Sequence, residues 1–134
     1  MDLIRWSSRL SVGVTEFDNQ HRNMIEMINT LHAAMKTGKG ASITGDIIDG
    51  LIAYTSSHFA AEELLMLQHN FPGFDKHKAE HAALVKQVLQ MQSKYNEGKA
   101  LPQTLMMFIK EWLMTHILAE DKEYGPYLNS KGVT

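Results

Sequence analysis

The sequence predicts an all-α fold, an up-down-up-down antiparallel four-helix bundle preceded by an extended N-terminal arm. Apolar residues recur in steps of three and four along four long stretches, which is the period of a helix with one buried face. The three prolines, Pro72, Pro102 and Pro126, stand beside glycines or in the gaps between these stretches, and no stretch alternates as a strand does. Short gaps make neighbouring helices antiparallel, so we expect one bundle and a single domain over residues 1–134.

The arm and the first helix come first along the chain. The arm covers about residues 1–16, is extended or irregular from Ser7 to Val14, and is expected to pack on the bundle through Trp6 and Leu10. The first helix is predicted over about residues 17–37, because Thr37-Gly38-Lys39-Gly40 supplies a stop. Its apolar stripe consists of Phe17, Met24, Ile25, Ile28, Leu31 and Met35.

Three further helices follow the same period. The second is predicted over about residues 42–70 and ends at Asn70-Phe71-Pro72-Gly73, where proline and glycine break a helix. The third is predicted over about residues 73–97 and ends at Asn96-Glu97-Gly98. The fourth begins at about Leu101, with Pro102 in its first turn, and runs to about residue 120, where Gly125-Pro126 is expected to close it.

Composition excludes several classes of function. The 13 Lys and Arg against 15 Asp and Glu give a net charge of −2, so there is no basic surface for nucleic acid or anionic lipid. The absence of cysteine excludes disulfide scaffolds, thiolate zinc sites, iron-sulfur clusters and cysteine nucleophiles, so any metal is held by nitrogen and oxygen. Because no apolar run is long enough to span a membrane and no leader is visible, we expect a soluble, cytoplasmic monomer.

Histidines and carboxylates interrupt or continue the apolar stripes. Residues four apart share a helix face, so the pairs His58-x-x-x-Glu62 and His77-x-x-x-His81 both face the core. His116-x-x-x-x-Asp121 is a looser pair on the fourth helix. The candidate ligands are His21, His58, Glu62, His77, His81, His116 and Asp121.

These candidates also share one level along the bundle. At about 1.5 Å per residue, reflection through the first loop places His21 opposite about residue 58, and reflection through the second places Glu62 opposite about residue 81. Reflection through the third loop brings His77 and His81 opposite about residues 122 and 118. His32 and His69 lie about eleven residues, roughly 16 Å, from a candidate ligand and are left out.

So many buried titratable groups at one level predict a metal centre, because a cation satisfies neutral imidazoles and carboxylates together. The alternative is a set of core histidines hydrogen-bonded to carboxylates. Five imidazoles predict two ions, and with bridging carboxylates and a shared oxide or hydroxide the ligands fill about eleven of twelve octahedral positions. One position stays open for a small molecule. Iron, zinc, copper and nickel all suit these ligands.

Apolar side chains within one turn of the candidate ligands are expected to form a dry pocket. They are Met24, Phe59, Trp112, Leu113 and Ile117. The alternative is that they are ordinary bundle core.

The pattern resembles the hemerythrin family, in its single-domain bacterial form, over nearly the whole chain. The matching residues are Trp6, Asp18-x-x-His21, His58-Phe59-x-x-Glu62-Glu63 with Met66, Pro72 before His77-x-x-x-His81, and Trp112-x-x-x-His116-x-x-x-x-Asp121-x-x-Tyr124. The resemblance implies a nonheme di-iron centre with an oxo or hydroxo bridge. It also implies that Glu62 and Asp121 bridge the irons, that His77, His81 and His116 hold one, and that His21 and His58 hold the other.

The resemblance selects Asp121 over Glu120, although Glu120 stands four residues after His116 and Asp121 stands five. We expect the last turn to loosen before Gly125-Pro126 and swing the later carboxylate inward. Gln20 and Tyr124 are candidates for hydrogen bonds that hold the ligands.

The implied function is reversible dioxygen binding, as an oxygen carrier, storage or delivery protein and not an enzyme. A di-iron oxidase or peroxidase is the alternative from another class, but such sites use Glu-x-x-His pairs, and no histidine here has a glutamate three residues before it. An oxygen or nitric oxide sensor and an iron-handling module are further alternatives.

Overall fold

In a computed structural model, the chain is described over residues 3–37, 41–99 and 102–134, without the side chains of residues 41–44, 102 and 119–121. The elements are a 3-10 turn at Ser8–Leu10, α1 (Thr15–Lys36), α2 (Ala41–Gln68), α3 (Phe74–Asn96), α4 (Pro102–Thr115), a π-helical turn (His116–Asp121) and α5 (Lys122–Ser130). None of the described residues forms a β-strand. The predicted all-α class is confirmed.

The helices pack as a closed ring of neighbours. α1 contacts α2, α2 contacts α3, α3 contacts α4, and α4 contacts α1. The Asn23 side chain donates to the Tyr54 hydroxyl at 3.0 Å, and Gln20 lies against His58, so residue numbers rise along α2 as they fall along α1. This pairing identifies α1 and α2 as antiparallel. α4, the π-helical turn and α5 together form the fourth rod of the bundle.

Two of the predicted stops are left-handed helix caps. Asn70 has a φ of 55°, and the N–H of Phe71 donates to the carbonyl of Met66 at 2.9 Å, which closes α2. Gly98 has a φ of 76° and ends α3 in the same way. The residues predicted to stop the first helix, 38–40, lie outside the described part of the chain, as does the expected fourth-helix start at 101.

The arm is packed on the bundle as predicted. Leu10 is buried, and Trp6 packs against the core with the Arg22 guanidinium 4.6 Å from its ring centre. The Asp18 carboxylate accepts hydrogen bonds from the Val12 N–H at 2.8 Å and from the Ser11 hydroxyl at 2.6 Å. Because Asp18 lies in the first turn of α1, it fixes the arm at the start of the helix.

The predicted end of the fourth helix is wrong. The fourth rod continues past residue 120 as the π-helical turn and α5, and Pro126 lies inside α5. Pro126 is the fifth of the nine residues of α5, and the helix lacks one intrahelical hydrogen bond there because proline has no N–H. Gly125 does not end the helix either. Its lack of a side chain leaves room for the arm, because a Cβ at this position would clash with the carbonyl oxygen of Val12.

The bundle interior is apolar above and below a polar layer. The largest fully buried side chains include Phe17, Ile28, Leu31, Ile48 and Leu105. In the described parts of the chain, no helix has the length and apolarity that crossing a bilayer requires.

Candidate metal centre

Five imidazoles and one carboxylate meet inside the bundle at the level that the sequence predicts. They are His21 on α1, His58 and Glu62 on α2, His77 and His81 on α3, and His116 on the π-helical turn. All six are buried, none more than 2% exposed. The ring centres of His21 and His58 are 4.6 Å apart, and those of His81 and His116 are 4.9 Å apart.

The donor atoms form two groups that share Glu62. In each group, one donor atom from every residue lies within 4.8 Å of the others. We name the group of His77, His81, His116 and Glu62 the three-histidine position, and the group of His21, His58 and Glu62 the two-histidine position. The two positions differ by one histidine.

Glu62 lies between the imidazoles. Its Oε1 is 3.2 Å from Nε2 of His58, 3.2 Å from Nε2 of His81 and 3.6 Å from Nε2 of His116. Burial acts to raise the pKa of Glu62, but the charge that His58 carries when protonated and the imidazole nitrogens of His116, His58 and His81 close to Oε1 outweigh it and hold that pKa well below 4.5. Glu62 is therefore an ionised carboxylate that faces both positions.

Hydrogen bonds fix the orientation of two imidazoles. Nδ1 of His58 donates to the side-chain oxygen of Gln20, and Nδ1 of His81 donates to Oε2 of Glu63 at 3.0 Å. Both hydrogen bonds place a proton on Nδ1, so Nε2 is the ring nitrogen that faces the interior and can serve as a metal donor.

The partner of His58 is the Gln20 that the sequence suggests, whereas Glu63 was missed. A signal for it was present, because the reflection that sets Glu62 opposite about residue 81 sets Glu63 opposite about residue 80.

Tyr124 supports the Glu62 carboxylate. It is fully buried at the start of α5, and its hydroxyl donates to Oε2 of Glu62. Its ring packs against Phe17 and His77 at centre distances of 5.5 and 5.4 Å. The two oxygens of Glu62 thus differ: Oε2 accepts from a phenol, and Oε1 faces the histidines.

Aromatic and aliphatic side chains enclose the layer. Phe59 stacks on His81 with ring centres 3.8 Å apart and planes within 4° of parallel, and Trp112 stacks on His116 at 5.9 Å. Met24, Leu113 and Ile117 are also buried. All five residues predicted to line a dry pocket lie in the core.

The turn that carries Asp121 is wider than an α-helical turn, in line with the loosening predicted from the sequence. His116–Asp121 is π-helical, with hydrogen bonds that span five residues and not four. The side chains of Asp121 and Glu120 lie outside the described part of the structure, so a ligand role for Asp121 stays a prediction.

The two excluded histidines are absent from both donor groups. His32 and His69 are half-buried, unlike the candidate ligands. The backbone carbonyl of His69 instead accepts a hydrogen bond from the Tyr127 hydroxyl at 2.6 Å.

Comparison with known proteins agrees with this geometry. The profile of the hemerythrin HHE cation binding domain matches residues 12–128. The chain belongs to the hemerythrin family. It is 36% identical to the bacteriohemerythrin of Methylococcus capsulatus over 132 residues, which cover 97% of this chain and 100% of the relative. It is also 36% identical to the bacteriohemerythrin of Stenotrophomonas maltophilia, over 93% of this chain and 81% of the relative. A crystal structure of wild-type hemerythrin superposes with a TM-score of 0.84 at 36% identity, over 92% of this chain and 96% of that one.

The donors of this hemerythrin domain suit metal ions. Nε2 of His58, Nε2 of His81 and Oε1 of Glu62 are buried, yet no described residue forms a hydrogen bond with any of them. Each buried polar atom left in this way costs about 1–3 kcal/mol. A cation between them satisfies imidazole lone pairs and a carboxylate oxygen together, so the buried cluster is a metal-binding site.

Proposed function

We propose that this hemerythrin domain binds two iron ions joined by an oxide or hydroxide and binds dioxygen reversibly, as a carrier, storage or delivery protein and not an enzyme. The proposed ligands are His21, His58, Glu62, His77, His81, His116 and Asp121. Once bound, a pair of ferrous ions supplies the two electrons that reversible dioxygen binding requires.

The observation that carries this proposal is the inequality of the two positions. The three-histidine position offers one more imidazole than the two-histidine position, and Glu62 is common to both. With Asp121 as a second bridge, the ligands leave about one of twelve coordination sites open. That vacancy falls at the two-histidine position, where a small molecule can bind.

The chain's own residues supply orientation and dryness. Gln20 and Glu63 hold two imidazoles with Nε2 directed inward, and Tyr124 holds one oxygen of Glu62. Phe59 and Trp112 cover His81 and His116. Met24, Leu113 and Ile117, with these two aromatic residues, are proposed to line the pocket and to keep water and protons from the open site.

The proposal is tested by reducing the iron-loaded protein without oxygen and mixing it with dioxygen in a stopped-flow spectrometer. A stable coloured adduct that returns to the starting spectrum under vacuum supports reversible binding. Irreversible oxidation with turnover of a substrate contradicts it and supports the oxidase or peroxidase alternative. Metal analysis is expected to give about two irons per chain, and a much larger number supports iron handling instead.

Two histidines on α1 provide a matched control. His21→Ala removes one of the two imidazoles of the two-histidine position, and we expect the oxygen adduct to be lost. His32→Ala removes an imidazole of the same helix that belongs to neither position, and we expect the adduct to persist. Equal loss in both variants contradicts the assigned ligands.

A further inference from the structure

The hydrogen-bond acceptors behind His81 and His58 carry different charges. Nδ1 of His81 donates to the Glu63 carboxylate, whereas Nδ1 of His58 donates to the neutral Gln20 amide. His81 belongs to the three-histidine position and His58 to the two-histidine position. One imidazole of the three-histidine position thus has a charged acceptor, and one imidazole of the two-histidine position has a neutral acceptor.

An acceptor behind an imidazole changes its strength as a ligand. A carboxylate draws the Nδ1 proton and makes Nε2 a better electron donor, while an amide does so much less. Glu63 is well placed to act in this way, because its side chain is only 23% exposed and its partner His81 is only 3% exposed. Water therefore screens the interaction weakly. The stacking of Phe59 on His81 also keeps the ring from turning away.

We propose that Glu63 and Gln20 are positioning residues that make the two ion positions unequal: the carboxylate strengthens binding at the three-histidine position, and the neutral amide leaves the two-histidine position the weaker one. This inference rests on the proposed metal centre. The two positions then differ in the number of histidines and also in the charge of the acceptor behind a histidine. Two isosteric substitutions can reverse this second difference.

The test is a calorimetric titration of Zn(II) into the metal-free full chain, which measures the affinity of each zinc equivalent. Zinc has no redox chemistry, so the result does not depend on dioxygen. Glu63→Gln keeps the shape and the hydrogen bond but removes the charge, and we expect it to weaken the tighter of two zinc equivalents about 10-fold to 100-fold. Gln20→Glu adds a charge behind His58, and we expect it to strengthen the weaker equivalent by a similar factor.

The double variant Gln20→Glu with Glu63→Gln has the same net charge as the natural chain. We expect the two zinc affinities to become more similar, because the tighter one falls and the weaker one rises. Glu97→Gln is the charge control, because Glu97 lies at the end of α3, pairs only weakly with Lys99 at 3.4 Å, and belongs to neither position. It is expected to leave both affinities unchanged.

A second readout does not depend on affinity. In the zinc-loaded protein, the Nδ1 proton of His81 is expected farther downfield in ¹H–¹⁵N spectra than that of His58, because its acceptor is charged. Glu63→Gln should move the His81 signal upfield and leave the His58 signal in place. A purely structural role for Glu63 would change the unfolding free energy without this selective shift.

The outcomes separate this inference from the proposed function. If both single variants and the double variant bind two zinc equivalents with affinities within about twofold of those of the natural chain, the inference is overturned. The metal centre is then left intact. Failure of the natural chain to bind zinc as a pair also overturns the inference, whereas the proposed function is overturned by its own test, the iron count and the mixing with dioxygen. With iron bound, a charged acceptor favours the higher oxidation state, so Glu63→Gln is expected to raise a reduction potential and Gln20→Glu to lower one.

Discussion

Replacement of Tyr124 by phenylalanine tests how Glu62 is held between the two ion positions. The substitution removes one hydroxyl and leaves the ring, which packs between Phe17 and His77, in place. Oε2 of Glu62 then loses the phenol that donates to it, in a site where both side chains are fully buried.

The magnitude follows from the charge and burial of the acceptor. A hydrogen bond to a charged group contributes about 1.5–3 kcal/mol, and no water reaches Glu62 to replace the lost donor. We therefore expect Tyr124→Phe to lower the free energy of unfolding of the metal-free protein by about 2 kcal/mol. Because both positions share Glu62, we also expect the affinities of both zinc equivalents to fall, by about 10-fold or more.

Tyr127 on the same helix is the matched control. Its hydroxyl donates to the backbone carbonyls of His69 and Asn70, at 2.6 and 3.0 Å, and the residue is half-buried. Since these acceptors are neutral, Tyr127→Phe is expected to cost about 1 kcal/mol and to leave zinc binding unchanged. Urea unfolding and zinc calorimetry measure both quantities. Equal losses in the two variants, with zinc affinities intact, would refute the reasoning.

Three further outcomes can be measured. Gly125→Ala is expected to lower the unfolding free energy by about 1–3 kcal/mol in urea, because the new Cβ meets the arm, whereas Gly45→Ala, with no atom within 4 Å of its Cβ, should raise it by about 0.5–1 kcal/mol. Asp121→Ala is expected to lose one of two zinc equivalents in calorimetry and Glu120→Ala neither; the reverse order would reject the π-turn argument. Glu62 stabilises the metal-free fold above its ordinary pKa of 4.5, and this contribution is lost as pH falls through the lowered folded pKa, so Glu62→Gln should flatten the acid limb of unfolding free energy against pH.

The level and direction of the ligands could be predicted because both follow from helix geometry. Loop midpoints set His21 opposite His58 and Glu62 opposite His81, and the structure places these pairs in contact. Residues four apart on one stripe face the same way, which is why His77 and His81 both point inward. A regular bundle with short loops leaves little freedom in either quantity.

The end of the fourth rod could not be predicted by the same rules. Gly125-Pro126 is typical of a helix stop, yet here the glycine leaves room for the backbone of Val12 and the proline lies in the middle of α5. The role of Gly125 depends on its contact with Val12, more than a hundred positions away, which local sequence rules do not include. Glu63 escaped for a different reason, because hydrogen bonds to Nδ1 depend on ring orientation, which spacing does not fix.

The π-helical turn bears on the proposal that two unequal carboxylates, Glu62 and Asp121, serve one metal centre. On α2, His58 and Glu62 are four residues apart, and because an α-helix has about 3.6 residues per turn they lie on one face. On the fourth rod, the proposed pair is His116 and Asp121, five apart, with an aspartate one methylene shorter than a glutamate. An ordinary α-helix would rotate the fifth residue away from the face of His116 by more than a quarter turn, about 140°. A turn with five-residue hydrogen bonds reduces that rotation, so the backbone supplies what the spacing lacks. A ligand role for Asp121 requires such a turn, and the α5 helix that follows the turn carries Tyr124 to Glu62.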